Sequence, residues 1–80
     1  MKARRLGKFV LDRETIECYP KHVKQIMGMC VIYKAEFLYH MDAISYIGVS
    51  DHFDMLPPGY EAPMYRWTID GTDIILDREV

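Results

Sequence analysis

Four short apolar runs, separated by turn-forming residues, fill the stretch from Cys30 to Ile75: CVIYKAEFLYH, AISYIGVS, MYRWTI and TDIIL. Their breaks are Met41-Asp42, the segment DHFDMLPPGYEAP and Asp70-Gly71. β-Branched and aromatic residues fit a pleated, half-buried surface. Each run has strand length rather than helix length. Runs joined in this way predict an antiparallel sheet, and with a helix upstream they place the chain in the α+β class: four to five strands with one short helix packed on one face.

Side-chain alternation assigns faces within the runs. Val31, Tyr33, Ala35, Phe37 and Tyr39 form the candidate core face of the first run. Lys34 and Glu36 lie on the other, with Ile32 and Leu38 beside them. Ala43–Val49 is apolar on both faces, the pattern of a central strand or of one that meets a partner. Gly48 marks a bulge or a close backbone approach. Tyr65, Trp67 and Ile69 read as inward, Arg66 and Thr68 as outward. Asp70-Gly71 is a type I′ hairpin signal, after which Ile74 and Leu76 share one face and Ile75 takes the other.

Upstream, residues 1–7 have one leucine and no periodicity, which predicts a flexible basic tail before a single domain over residues 8–80. Phe9-Val10-Leu11 is a short apolar run. Two continuations stay open. Thr15 to Tyr19 can return as a partner strand, which Thr15, Ile16 and Tyr19 favour, or a helical turn can cross Asp12–Cys18. Pro20 suits a helix's first turn. Val23, Ile26 and Met27 then recur at helical spacing, with Lys21 and Lys24 facing water and Gly28 as the stop. The one short helix spans Pro20–Met27 and needs the sheet to stabilise it.

The 80 residues form one domain with a thin core, since a chain this short buries only about 60% of its extended surface. Half of them are hydrophobic, including six Tyr, three Phe and one Trp. That excludes disorder and leaves aromatics for association, a homodimer included. No apolar run reaches membrane-spanning length, and the basic N-terminus lacks the apolar segment of a secretory signal, so a cytoplasmic location is expected. Cys18 and Cys30 lack metal-type or redox spacing and are expected as free thiols packed as small hydrophobes.

Charge is uneven. Residues 1–24 carry seven cationic side chains against three acidic ones, while residues 25–80 carry three against nine. The two halves either attract each other within the fold or present binding faces of opposite sign. Arg4, Arg5, Lys8, Lys21 and Lys24 are the candidate phosphate contacts. The aromatic strands, however, carry acids and lack the basic-Gly-aromatic pattern of single-strand binders.

Two constellations have residue types suited to chemistry. Asp51, His52 and Asp54, with His40, have metal-ligand types but no ligating spacing. The competing assignment is Asp51 capping a turn with Phe53 as a hydrophobic plug. Cys18 or Cys30 with His22 or His40 would make a nucleophile and base, but the apolar run around Cys30 argues for burial. No phosphate loop, nucleophile elbow or zinc-protease helix is present. No catalytic residue, metal or cofactor is therefore expected. The long loop Asp51–Pro63 mixes acids with apolar side chains, and Pro57-Pro58-Gly59 stiffens it. It supplies the protein-interface candidates Phe53, Asp54, Met55, Leu56, Tyr60 and Glu61.

The segment YIGVSDHFDMLPPGYEAPMYRWTI combines a strand ending in Ser-Asp-x-Phe, a Pro/Gly-rich acidic loop and a Pro-aromatic strand. It resembles small phage- or prophage-encoded proteins of unknown function, over about residues 30–69. The resemblance implies a small α+β accessory protein and transfers no catalytic residue. The expected function is a non-enzymatic protein-interaction module, a phage or mobile-element accessory protein binding a host protein. The alternative is a nucleic-acid binder using the basic N-terminal region and helix.

Overall fold

The computed structural model describes residues 4–57 and 59–78. In chain order the elements are β1 (Leu6–Asp12), α1 (Arg13–Cys18), α2 (Pro20–Gly28), β2 (Val31–Leu38), β3 (Ala43–Val49), β4 (Met64–Asp70) and β5 (Asp73–Arg78). The strands form one sheet in the order β2-β3-β1-β4-β5. The α+β class holds, with two helices rather than one.

The sheet is mixed, not antiparallel throughout. β1 pairs antiparallel with β3 but parallel with β4, through Lys8↔Met64 and Phe9↔Tyr65. β1 therefore lies between β3 and β4, which the sequence suggested as neighbours. This explains the length of the loop between them. It must cross two strand spacings, about 10 Å, over the start of β1, which no tight hairpin turn can do.

Cross-strand register fixes which side chains share a face. Gly7, Phe9 and Leu11 on β1 stand with Tyr46 and Ile44 on β3, and with Tyr65, Trp67 and Ile69 on β4. This is the covered face. Ile26 from α2 and Phe53 from the long loop complete its buried cluster, with Ile16, Val23 and Met27 of the helices packed around it. The opposite face carries Lys8 and Val10 beside Ile47 and Ser45.

α1 takes the place of the returning strand that Thr15, Ile16 and Tyr19 favoured. Asp12 ends β1 in extended conformation, and its Oδ1 accepts from the Thr15 N–H at 2.8 Å. This cap satisfies a donor that would otherwise be unpaired and outweighs the β propensity of the residues that follow. α2 begins at Pro20 as expected and runs to Gly28. Ile26 is fully buried, Val23 and Met27 are half-buried, and Lys21 and Lys24 face solvent. His22 Nε2 donates to the Gly71 carbonyl at 3.1 Å, tying α2 to the β4–β5 turn.

That turn is a two-residue loop, Gly71-Thr72, closed by Asp70↔Asp73. Only Gly71 has positive φ, 63°. This is the type II′ pattern, one residue later than the type I′ turn expected at Asp70-Gly71. The strands it joins keep the predicted faces: Tyr65 is buried, Trp67, Ile69, Ile74 and Leu76 are half-buried, and Arg66, Thr68 and Ile75 are exposed.

β2 departs most from expectation. It is an outer strand, and the supposed core residues are exposed: Val31 62%, Tyr33 57%, Phe37 40%, and Tyr39, just beyond its end, 87%. Two causes are visible. Register shifts between Ile32 and Lys34, so alternation does not run through Tyr33. The helix layer is also centred on β1, and Ile32 is the one β2 residue packed against the buried cluster. The same region explains Gly48. A Cβ there would collide with the Val31 carbonyl oxygen and come within 3.2 Å of Ile32 Cα. Only glycine lets β2 approach at its bulge.

Of the segment read as a basic tail, residues 1–3 lie outside the described residues, Arg4 bridges to Leu56, and β1 starts at Leu6. Cys18 and Cys30 are free thiols. Cys18 is exposed rather than packed inside.

Two outcomes follow for stability. Gly48→Ala is expected to lower unfolding free energy by about 1–3 kcal/mol in urea titrations, through backbone overpacking. The hydrogen bonds from Thr15 to the Asp12 side chain hold its carboxyl below its usual 3.8, slightly opposed by desolvation. A lowered folded-state value adds stability above about pH 4, which is lost as pH falls through the lower folded value. Asp12→Asn keeps a capping oxygen without the charge. The advantage of wild type over this variant is therefore expected to shrink between pH 5 and pH 2, whereas a constant difference would contradict the assignment.

Candidate functional site

The loop between β3 and β4 was the sequence-based candidate, and it is anchored from several sides. Ser50 N–H donates to Arg5 O at 3.1 Å, and Phe53 N–H donates to Ser50 O at 3.1 Å. The Ser50 hydroxyl accepts from His52 N–H at 3.2 Å, so Ser50 rather than Asp51 organises the turn. Arg5 Nη1 donates to Phe53 O at 3.0 Å. Arg4 and Leu56 exchange both backbone hydrogen bonds, at 3.1 and 2.8 Å.

Phe53 closes the covered face as a plug. Its ring stacks on Tyr65 with centroids 4.6 Å apart and lies 6.5 Å from both Phe9 and Trp67. The space for it comes from Gly7, where a Cβ would stand 2.6 Å from Phe53 Cδ2. Asp54 N–H donates to Tyr65 Oη at 2.8 Å, and Asp54 Oδ2 accepts from Arg78 Nη1 at 3.1 Å.

These contacts divide the proposed loop interface. Phe53 is 1% exposed and is a core residue, unavailable to a partner. Leu56 is half-buried in the bridge to Arg4. Asp54 faces solvent but is engaged with Arg78. Met55, Tyr60 and Glu61 are exposed. Pro58 lies outside the described residues.

The basic candidates do not converge. Lys8 sits half-buried on the open face of the sheet, whereas Lys21 and Lys24 are on the solvent side of α2, which covers the other face. Arg4 and Arg5 lie at the β1 entrance and are drawn into the loop.

Around Arg4, Arg5, Cys30, Ser50 and Met55 there is an open pocket of about 470 Å³, with Tyr33 at its side. Burial pushes the Cys30 thiol up from 9.0, partly offset by a hydrogen bond with Ser50. A thiol so placed stays protonated at neutral pH and is a poor nucleophile. No histidine is found among the described residues lining the pocket. Among the described residues, no group of three or more His, Cys, Asp or Glu could hold a metal ion, and no helix is long and apolar enough to cross a membrane. Asp51 and His52 are exposed on the turn.

The surface that sequence reading missed is the outer edge of β2. Val31, Tyr33 and Phe37 on the strand, with Tyr39 and Met41 in the turn after it, are large, apolar or aromatic, and exposed. Phe37 and Tyr39 meet edge to face at 4.7 Å. The backbone of an outer strand also presents alternate N–H and C=O groups outward. The other outer strand, β5, is shorter and carries Asp73, Asp77 and Arg78 among its six residues. The signal for this edge was present in the apolar run itself, but periodicity cannot tell a buried stripe from an exposed one.

No family model, curated protein or solved structure matches this chain.

The loop's role as part of the core is open to mutation. Phe53→Ala is expected to cost about 3–5 kcal/mol in thermal or urea unfolding. Tyr65→Phe keeps the ring but removes the acceptor of the Asp54 N–H, and is expected to cost about 0.5–1.5 kcal/mol. Substitution of Tyr60, which is 67% exposed, is expected to stay within about 0.5 kcal/mol. Equal effects at Phe53 and Tyr60 would refute the plug.

Proposed function

We propose that this chain is a non-enzymatic protein-interaction module that receives another protein chain along the outer edge of β2. The observation that carries this reading is the exposure of Val31, Tyr33 and Phe37 along an outer strand, continued by Tyr39 and Met41 in the turn that follows it. An extended segment added there gains backbone hydrogen bonds from the strand and side-chain contacts from the aromatics. Aromatic residues and Met are enriched in the cores of protein interfaces. An exposed apolar edge without such a use is an aggregation hazard.

The test is affinity capture from nuclease-treated and untreated lysate with wild type, Tyr33→Lys and Phe37→Lys as baits, read by quantitative mass spectrometry. Both positions are exposed, so both variants are expected to keep the wild-type circular dichroism spectrum and melting temperature. The captured chain, whether another protein or untagged copies of this one, is expected to fall about tenfold with either variant, equivalent to about 1.4 kcal/mol. Equal capture by all three baits would refute the edge. Capture abolished by nuclease alone would favour nucleic acid instead.

A further inference from the structure

We infer that the chain received by the β2 edge is a second copy of this protein, bound antiparallel and centred on Ala35, so that two sheets join into one of ten strands. The inference rests on the edge reading above and names its occupant.

Charge selects the occupant and the register. A two-fold axis beside an outer strand pairs it with itself in antiparallel sense. Opposed residues must lie on the same face of the joined sheet, because a one-residue slip inverts every side chain. The axis must therefore pass through a residue rather than between two. On Ala35, Lys34 faces Glu36 of the second copy, and Glu36 faces Lys34 of the second copy. Two opposite-charge pairs form, both within the regular part of the strand. Moving the axis to Lys34 sets two ammonium groups against each other. Moving it to Glu36 sets two carboxylates against each other. Opposed like charges destabilise a strand pair, while opposite charges and aromatic pairs contribute about 0.2–1 kcal/mol each.

Several observations fit this register. Lys34 and Glu36 are exposed, and neither has an ion-pair partner among the described residues of its own chain. From Lys34 to Leu38, β2 pairs with β3 without interruption, so its outer edge is regular there. Ala35 is small and exposed, which lets two backbones meet at the axis. β5 is less suited to self-pairing, since Asp73 and Asp77 put two acids along its length.

The test uses sedimentation equilibrium on wild type, Lys34→Glu, Glu36→Lys and the double exchange, at up to about 100 μM, where even a weak micromolar dimer is populated. Circular dichroism checks that each is folded. Wild type and the double exchange are expected as dimers. Each single variant opposes like charges on both sides of the axis and is expected to weaken association at least tenfold. An equimolar mixture of the two single variants sets an edge with two carboxylates against an edge with two ammonium groups, and is expected to restore the dimer. Wild type that stays monomeric overturns the inference, as does a mixture that associates no better than its components. If wild type is monomeric while Phe37→Lys still loses a captured heterologous protein, the edge stands and the second copy is ruled out. If wild type is monomeric and Phe37→Lys loses no captured protein, both fall.

Discussion

Phe9 is fully buried, and its ring faces side chains from three other parts of the chain. It stacks with Tyr46 of β3 at 5.3 Å, meets Trp67 of β4 edge-on at 5.8 Å, and lies 6.5 Å from Phe53 of the loop. These are favourable geometries for aromatic pairs, each contributing about 0.5–1.5 kcal/mol beyond area burial. A domain this small has no second core to fall back on. The position of β1 between an antiparallel and a parallel neighbour is thus fixed by the same residue that seats the loop. One cost remains among the described residues: the buried Trp67 Nε1 has no hydrogen-bond partner. An unsatisfied donor of this kind is tolerated only where packing around the ring compensates.

Local signals in the sequence carried much of this architecture. Four runs became four strands, Pro20 opened a helix, and Gly48 sits where the backbones approach. The faces of β4 and β5 follow simple alternation. Three things were not legible, each for a physical reason. The parallel β1–β4 pair joins residues far apart in the chain, Lys8 with Met64 and Phe9 with Tyr65, and no turn residue announces it. α1 is decided by one hydrogen bond from Thr15 to Asp12, which propensity does not weigh. The exposed side of β2 reads like a core stripe because hydrophobicity shows what a surface can bury, not whether the same molecule buries it.

For the candidate site, the loop composition pointed to the right segment with the wrong emphasis. Phe53 is apolar because it completes the interior, and the acids around it keep the turn solvated. The edge strand proposed for partners differs in charge from the rest of residues 25–80, which is acidic, because Lys34 and Glu36 balance each other. Charge on an outer strand usually serves to prevent pairing. Here its alternation gives a single self-paired register, the one centred on Ala35, in which both charges of one strand meet opposite charges of the other.

The central place of the first strand governs the order in which the protein can be built. β1 is synthesised before every other element, yet one of its neighbours begins at Ala43 and the other at Met64. During translation its apolar face therefore waits while most of the remaining chain is made, and the sheet closes only after Tyr65 has left the ribosome. Until then Phe9 and Leu11 have only the helices, β3 and the loop's Phe53 to cover them, and lack Tyr65 and Trp67. Contacts of such long sequence separation slow folding, so the growing chain passes through a window in which its most buried residues are incompletely covered.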